Sequence, residues 1–198
     1  MPRVTEVLDH LMEPELFKWH IRLGKAACKK ISDEALRVGS AVDALVQQDI
    51  KEGGYLVPEG DQSIENCMRA WELFKKDYPL FVDSVKEMQT EVKQGDVVGH
   101  PDFIHVDGIT DLKCSSGIRP KYWTQTAQYG HMKFKVSDFN FIAILRLDKV
   151  TGLYEYRKIE DWDYIFYEIG VFNAYLTAFQ HASKNREMLR QQLENEVL

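Results

Sequence analysis

The sequence is poor in cysteine, in long apolar runs and in motifs for binding nucleotides. Its three cysteines are Cys28, Cys67 and Cys114. Because their number is odd and their spacing wide, we expect neither a disulfide framework nor a zinc site, and three are too few for a four-cysteine iron–sulfur cluster. The chain has no run of about 18 apolar residues, so it is not expected to cross a membrane. It also lacks the G-x-x-x-x-G-K-[ST] motif, so any helicase that works with it must be a separate protein.

The composition is that of a soluble globular protein, with 198 residues of which 44% are hydrophobic and 28% are charged. Residues 1–6 lack the apolar core of a signal peptide, and a cytoplasmic location is therefore expected. The net charge of −6 argues against a nucleic-acid partner when it is taken alone. The basic residues are concentrated, however, with six Lys and Arg in residues 18–37 and seven in residues 113–149. Such a basic surface on an acidic protein can bind phosphate groups.

Apolar spacing predicts a helical first part, residues 1–86, and strands after it. One predicted helix begins near Pro14 and runs through Ala27, and Ser32 is predicted to cap a second that ends at Gly53. A third helix is predicted from the spacing of Ile64, Cys67, Trp71 and Phe74. Strands are predicted over residues 88–94, 97–106, 108–114, 139–147 and 153–159, and further helices over residues 121–135 and 161–193.

This order predicts one α/β domain over residues 1–198, in which a mixed central sheet is flanked by helices. We expect residues 1–86 to form a helical lead-in and residues 87–160 to carry the sheet, one helix and the catalytic groups. Residues 161–198 are expected to form a C-terminal helix. The dipeptide Asp107-Gly108 is a strong signal for a hairpin between the second and third strands.

Two carboxylates and a lysine are placed on this predicted hairpin. Asp102 lies early in it, in Gly99-His100-Pro101-Asp102, and Asp111 precedes Lys113 by two residues on the next strand. Since side chains alternate along a strand, Asp111 and Lys113 share one face. Two converging carboxylates form a hard oxygen site that suits Mg²⁺ or Mn²⁺. A lysine beside it can orient water or offset charge in the transition state of phosphodiester hydrolysis.

These residues resemble the signature of the PD-(D/E)XK nuclease superfamily, with Pro101-Asp102 followed by Asp111-Leu112-Lys113. The segment Gln125 to Tyr129 is similar to the Q-x-x-x-Y motif of the RecB-type and phage exonuclease branch, and its two polar residues share a helical face. The resemblance extends over most of the chain but is most specific in residues 99–129. It implies a restriction-endonuclease-like fold, a divalent metal and a DNA substrate.

The resemblance also implies roles for individual residues. Asp102, Asp111 and the backbone carbonyl of Leu112 would bind the metal, while Gln125 and Tyr129 would brace the site from behind. Many members of this branch have a histidine where this chain has Asp43. Asp43 could ligate a second metal or hold a water, or the second metal site could be lost.

Two neighbouring residues leave alternatives open. Glu91, on the strand expected before Asp102, is either a further metal ligand or base, or a solvated carboxylate on an edge strand. His100 adjoins the motif but is assigned to no metal, because a lone histidine is more often structural.

Two groups of basic residues are candidates for contacting DNA. The first has a spacing that suits one side of a helix, and it consists of Lys18, Arg22, Lys25 and Lys29. These residues either contact phosphates or form an ordinary solvated face. The second group, Arg119 and Lys121, follows the catalytic strand beside Tyr122 and Trp123, and basic groups mixed with aromatics suit a single-stranded end. For Trp123, simple packing is the favoured interpretation.

Three functions remain open from the sequence. The first is a metal-dependent DNA exonuclease that acts in recombination, repair or phage DNA processing and needs a free DNA end. The second is an endonuclease on the same fold, because fold alone does not separate the two. The third is a DNA-binding module that has lost catalysis, although the presence of Asp102, Asp111 and Lys113 argues against it.

Overall fold

The computed structural model describes residues 1–9, 18 and 21–196, and for residues 189 and 191–196 it describes the backbone alone. Six named helices occur in this part: α1 Val4–Asp9, α2 Lys25–Glu52, α3 Gln62–Asp77, α4 Phe81–Ser84, α5 Pro120–Lys133 and α6 Trp162–Glu196. A short 3-10 turn covers Val136–Asp138. The strands are β1 Glu87–Met88, β2 Val92–Gln94, β3 Val97–Gly99, β4 Phe103–Ile104, β5 Gly108–Lys113, β6 Phe141–Leu147 and β7 Tyr154–Ile159.

The main sheet is mixed and has the strand order β1-β4-β5-β6-β7. β5 and β6 are parallel, with Asp111 opposite Ile144, while the other neighbouring pairs are antiparallel. The parallel pair requires a crossover, and α5 supplies it. β2 and β3 form a separate antiparallel pair. The predicted α/β class, with a mixed sheet flanked by helices, is confirmed.

Each face of the sheet buries its own apolar core. On one face, Ile109, Ile142 and Ile144 pack with residues of α1, α5 and α6. On the other, Leu112 and Leu145 pack with residues of α2, α3 and α4. Alternation along β5 therefore directs Asp111, between Thr110 and Leu112, toward the face that α5 covers. Of the helices that the structure describes, none combines the length and the apolar character needed to cross a membrane.

The predicted N-cap at Ser32 is wrong, because α2 is one helix from Lys25 to Glu52. Ser32 is an exposed residue inside it, and a helix that gains its stability from packing tolerates a serine on the solvated side. The end at Gly53 is confirmed, since this glycine adopts the left-handed conformation with φ 72°. The helix expected from Pro14 to Ala27 lies largely outside the described residues, and Gly24 (φ 79°) separates residues 21–23 from α2.

The three strands expected over residues 88–114 are shorter and more numerous than predicted. Residues 88–94 divide between β1 and β2, which belong to different sheets, and residues 97–106 divide between β3 and β4. The break between β3 and β4 contains Pro101, which has no N–H to donate to a ladder. Asp102 consequently lies in a connection, directly before β4, and not within a long strand.

The predicted hairpin exists, but its turn is displaced by one residue. The His105 N–H donates to the Gly108 carbonyl oxygen at 2.9 Å, so Val106 and Asp107 form the two-residue turn. Gly108 already pairs with Phe141 of β6. A Cβ on Gly108 would lie 2.4 Å from the Phe141 ring, so the glycine is required for strand packing and not for the turn.

Candidate active site

The hairpin of β4 and β5 brings Asp102 beside the end of β5. The register pairs Phe103 with Thr110 across the two strands. Asp102, one residue earlier, accepts a hydrogen bond at its Oδ2 from the Leu112 N–H at 2.6 Å. This bond crosses the hairpin at the position where the ladder would otherwise continue. It fixes the Asp102 carboxylate next to Asp111 and Lys113.

Asp111 is buried on the α5 face, and its side chain is only 1% exposed. The Lys113 Nζ lies 2.6 Å from Asp111 Oδ2, as an ion pair. Beyond this ion pair, Oδ2 has no hydrogen-bond partner among the described residues. Burial raises the pKa of Asp111, Lys113 opposes this rise, and the nearby Asp102 carboxylate adds to it. The site thus contains buried negative charge that the protein's own groups compensate only in part.

Lys113 is held between these carboxylates and an aromatic ring. Its Nζ lies 5.1 Å from the centroid of the Tyr122 ring, within range of a cation–π contact. Burial disfavours the ammonium form, but Asp111 and Asp102 outweigh it and raise the pKa of Lys113. The amine is therefore a cation near neutral pH.

Gln125 and Tyr129 lie behind Asp111, as the motif predicted. Gln125 Nε2 is 3.4 Å from Asp111 Oδ1 and donates to the Tyr129 hydroxyl at 3.0 Å. Both side chains are buried on α5. A Cβ on Gly99 would lie 2.4 Å from the Tyr129 ring, so the glycine that opens the Gly99-His100-Pro101-Asp102 motif allows this tyrosine to pack.

Asp43 reaches the site from α2, on the opposite side of the cleft. It is linked to Asp102 by Gln89, whose Nε2 lies 2.7 Å from Asp102 Oδ1 and 3.4 Å from both carboxylate oxygens of Asp43. Gln47 also donates to Asp43 Oδ2, at 2.9 Å. Burial first, and Asp102 second, raise the pKa of Asp43 to about 6.

Gln89 is a site residue that sequence reasoning missed. Its backbone is left-handed, with φ 51°, and its N–H donates to the Pro101 carbonyl oxygen at 3.0 Å. A left-handed non-glycine residue is uncommon and is held there by its surroundings. No single-sequence pattern marks such a position. Gln89 is the second residue of the strand predicted over residues 88–94, and the sequence assigned it no role.

Glu91 is not brought into this group, so its position fits the solvated carboxylate and not the metal ligand or base, the two alternatives that the sequence left open. It lies between the two sheets, directly before β2, and its carboxylate forms an ion pair with Lys93 at 2.7 Å. That side chain is 49% exposed. The division of the predicted strand into β1 and β2 directs the chain away from Asp102 at this point. His100 is likewise 41% exposed, with Nε2 3.9 Å from Glu91 Oε2.

The carboxylates open into a cleft of about 680 Å³ between α1, α2, the start of α5 and the end of β5. Both basic residues expected after β5, Arg119 and Lys121, line it, and Lys121 also pairs with Asp9 at 3.0 Å. Tyr122 lines the cleft as well, whereas Trp123 is buried and packs edge-on against Tyr164, as expected.

Lys149 is a further basic residue of the cleft, on the β6–β7 turn, and it was not singled out from the sequence. Asn66 Nδ2 donates to the carbonyl oxygens of Lys149 and Val150 at 3.0 and 2.9 Å. Arg69 donates to that of Thr151 at 2.7 Å. Three hydrogen bonds from two residues of α3 therefore fix this turn at the edge of the cleft.

The residues of the predicted helical stripe do not lie on one continuous helix. Gly24 interrupts the helical backbone, so Lys18 and Arg22 precede the break while Lys25 and Lys29 belong to α2. Lys29 forms an ion pair with Asp33, in which both side chains are more than half exposed. None of the four stripe residues lines the cleft where the structure describes it.

The donor set can be tested against the metal that the sequence implies. No three His, Cys, Asp or Glu side chains within the described ranges converge tightly enough to hold an ion by themselves. Asp102 and Asp111 converge as a pair, however, and Asp111 Oδ2, which has the Lys113 ammonium as its neighbour, lies where a positive charge is favoured. Two carboxylates with a backbone carbonyl give an all-oxygen set, which fits Mg²⁺ or Mn²⁺ and not a thiophilic metal.

No protein-family model and no curated protein matches the sequence. Several solved structures show a distant likeness. An alkaline exonuclease, LHK-Exo, from Laribacter hongkongensis is 13% identical, with a TM-score of 0.41 over 94% of this chain and 92% of that one. LHK-Exo in complex with dAMP is also 13% identical, with a TM-score of 0.42 over 78% of this chain and 86% of that one. A phage-related exonuclease from Haemophilus somnus 129PT is 15% identical, with a TM-score of 0.38 over 74% of this chain and 82% of that one. At such low values these likenesses assign no activity to this chain, and its function has to be inferred from its own residues.

Proposed function

We propose that this protein is a metal-dependent deoxyribonuclease of the PD-(D/E)XK type that hydrolyses DNA from an end. The observation that carries the proposal is the convergence of Asp102 and Asp111 beside Lys113, whose Nζ lies 2.6 Å from Asp111 Oδ2. Two carboxylates with one ammonium leave a net negative charge in a largely buried place, and a core that is built only for stability does not retain it because such charge is costly.

Each residue of the site has a part in the proposed reaction. Asp102, Asp111 and the Leu112 carbonyl would hold Mg²⁺ or Mn²⁺, which when bound polarises the phosphate and lowers the pKa of water. Lys113 orients the attacking water and offsets the charge that develops as the water oxygen bonds to phosphorus and the P–O bond breaks. Gln125 and the Leu112 N–H keep the two carboxylates in place.

The cleft supports DNA as the substrate. Arg119, Lys121 and Lys149 line it together with the carboxylates, so phosphates can be held while one of them is hydrolysed. Asp43 stands where the related nucleases often have histidine, and its link through Gln89 supports a role beside Asp102, in a second metal site or in holding water.

An action on DNA ends is supported by the resemblance of Gln125 and Tyr129 to the exonuclease branch. The cleft is bordered by α1 and α2 on two sides, which agrees with entry by a strand end. We expect a role in recombination, repair or phage DNA processing. A separate helicase or recombination protein would be a suitable partner.

Digestion of matched DNA substrates tests this proposal. End-labelled linear DNA should be shortened to mononucleotides or short oligonucleotides with Mg²⁺ or Mn²⁺, but not with Ca²⁺, and closed circles should resist. Nicking of circles that is lost in Asp111→Ala would replace the exonuclease with the endonuclease alternative. Binding of metal and DNA without any cleavage would support the non-catalytic module instead.

A further inference from the structure

One face of α2 lines the cleft opposite the catalytic strand. Four residues at intervals of four, Ile31, Ala35, Gly39 and Asp43, form a row along the helix that ends beside Asp102. Leu36 and Ser40 form the adjacent row and line the cleft too. A different row, made of Val38, Val42 and Val46, is buried and attaches α2 to the rest of the protein. The cleft-facing rows are therefore not needed for that packing.

Gly39 is placed where the helix itself gives no reason for a glycine. It lies in the middle of a 28-residue helix, with ordinary helical φ, and glycine is the poorest helix former apart from proline. Elsewhere in this fold, a Cβ on Gly99, Gly108 or Gly130 would collide with an aromatic ring. A Cβ on Gly39 would meet no protein atom within 4 Å. The open space above Gly39 belongs to the cleft.

The same face carries exposed apolar side chains in a cleft that also contains acidic and basic side chains. Ile31 is 50% exposed and Leu36 is 70% exposed, although both line a space bordered by Arg119, Lys121 and Lys149. Duplex DNA presents phosphates and sugars to the wall of such a cleft. Only unpaired bases present flat apolar faces, and these gain from contact with apolar side chains.

We propose that this face of α2 holds an unpaired DNA strand, whose backbone approaches the helix most closely at Gly39 and whose bases lie against Ile31 and Leu36. The phosphate next to Asp43 is then the one delivered to Asp102 and Asp111. The proposal rests on the nuclease function above and adds that the substrate is a single strand, or a duplex end that has frayed. Glycine at position 39 keeps open the space that the strand occupies.

The first test separates a substrate contact from a structural role, because the two predict opposite results. Gly39→Ala should raise the melting temperature by about 2–4 °C, since alanine favours the helix. The same variant should weaken binding of a single-stranded oligonucleotide about tenfold, measured by fluorescence anisotropy with Ca²⁺ in place of Mg²⁺. Gly170 is the matched control, since it is also exposed, within α6 and free of neighbours within 4 Å of its Cβ position. Gly170→Ala should raise the melting temperature and leave binding unchanged.

Unchanged binding by Gly39→Ala would overturn the proposal, and so would a lower melting temperature, which would make the glycine structural. Because these measurements need no cleavage, they can succeed or fail independently of the nuclease function. If the wild-type protein bound the oligonucleotide as proposed but cleaved nothing with Mg²⁺ or Mn²⁺, only the proposed catalysis would be lost.

The second test asks whether Ile31 and Leu36 contact bases. An oligonucleotide with three abasic sites at its end should bind wild-type protein about tenfold more weakly than the intact strand. In the double variant Ile31→Ser with Leu36→Ser, removal of the bases should change affinity about twofold or less. Leu80→Ser, an exposed leucine outside the cleft, is the control and should behave as wild type. An equal loss of affinity for intact strand, abasic strand and blunt duplex in the double variant would overturn the assignment.

Discussion

The β4–β5 hairpin buries polar side chains at both ends, but the two ends differ in how far the hydrogen-bonding atoms of these side chains have partners. At the turn end, the buried His105 contacts the Ser84 hydroxyl through Nδ1 at 3.0 Å and the Thr110 hydroxyl through Nε2 at 2.9 Å. At the open end, Asp111 retains an oxygen without a hydrogen-bond partner among the described residues, and a second carboxylate stands beside it.

The difference separates a structural polar group from a functional one. Both imidazole nitrogens of His105 have partners, so this histidine stabilises the fold without needing a ligand. Asp111 is paired with Lys113, but burial and the Asp102 carboxylate still disfavour its charged form, so a bound metal ion would stabilise it. Two residues of one strand, Thr110 and Asp111, thus take part in opposite kinds of site because their side chains point to opposite faces.

The largest expected effect comes from removing the charge of Asp111 at the open end of the hairpin. Asp111→Asn keeps the shape but removes a metal-binding charge, so DNA cleavage should fall about a thousandfold or more. The metal-free variant should unfold at a higher temperature than wild type, because the carboxylate repulsion is relieved.

Thr110→Val is the matched change at the turn end of the hairpin, where it leaves His105 Nε2 without its partner. It should lower the free energy of unfolding by about 1–3 kcal/mol and spare the turnover of folded protein. Calorimetry and turnover on linear DNA check both results, and a stability loss in Asp111→Asn would contradict the comparison.

The pH dependence of stability should have opposite signs at the two ends. Burial lowers the pKa of His105 to about 4, from about 6.5 in the unfolded chain. Its contribution to stability is thus complete above pH 6.5 and is lost as the pH falls toward 4, by about 3 kcal/mol. Asp111 and Asp43, whose pKa values are raised, are protonated more readily in the folded state and gain stability over the same descent.

Urea unfolding of metal-free protein between pH 7 and pH 4 measures these contributions. His105→Gln should lose less stability on acidification than wild type, and Asp111→Asn should lose more. The measured quantity is the change in unfolding free energy with pH, so a constant destabilisation in either variant does not affect the result. If both variants responded to acid in the same direction, the assigned pKa shifts would be wrong.

Removal of the Lys113 charge at the open end of the hairpin should lower turnover and leave the binding of metal and DNA unchanged. Lys113→Met retains much of the side-chain stem, and we expect single-turnover cleavage at saturating metal to fall about a hundredfold. Affinity for metal and for DNA should remain close to wild type. Lys158→Met is the control at the other end of the sheet, where Nζ lies 4.3 Å from the Phe141 ring centroid. A loss confined to DNA affinity in Lys113→Met would remove the catalytic assignment.

The smallest effects concern basic residues away from the chemistry. Replacing Arg119, Lys121 and Lys149 with glutamine should weaken binding of single-stranded DNA and reduce the salt slope by about 2, because fewer counterions are released. The same change at Lys86 and Lys158, which line the cavity by the turn end, should leave the slope as it is. Neutralising Lys18, Arg22, Lys25 and Lys29 should reduce the salt slope of DNA binding by less than the triple change in the cleft does. An unchanged slope would identify these four residues as a solvated face.

The central part of the site could be predicted from the sequence because it depends on local rules. Strand alternation places Asp111 and Lys113 on one face, and the hairpin returns Asp102 to them across a few residues. Helical spacing likewise pairs Gln125 with Tyr129. These relations require no knowledge of distant packing, and the structure reproduces all of them.

The errors occurred where tertiary contacts decide the conformation. Ser32 has the character of an N-cap, but α2 continues through it because its other face is buried on α3. Glu91 and Gln89 are two residues apart, and the left-handed backbone of Gln89 decides which of them reaches Asp102. Such a conformation is imposed by the chain around it, so no local sequence pattern predicts it.

The β6–β7 turn that carries Lys149 has a consequence for how this protein can vary. The N–H groups of Val150 and Thr151 donate to the Asp148 carboxylate, that of Gly152 donates to the Asp148 backbone, and a Cβ on Gly152 would collide with the Arg69 guanidinium. Surface turns usually accept inserted residues, but an insertion here would detach Asn66 and Arg69 from their carbonyls and displace Lys149 from the cleft. The length of this turn is therefore under constraint, and trypsin should cut slowly after Lys149 in folded protein.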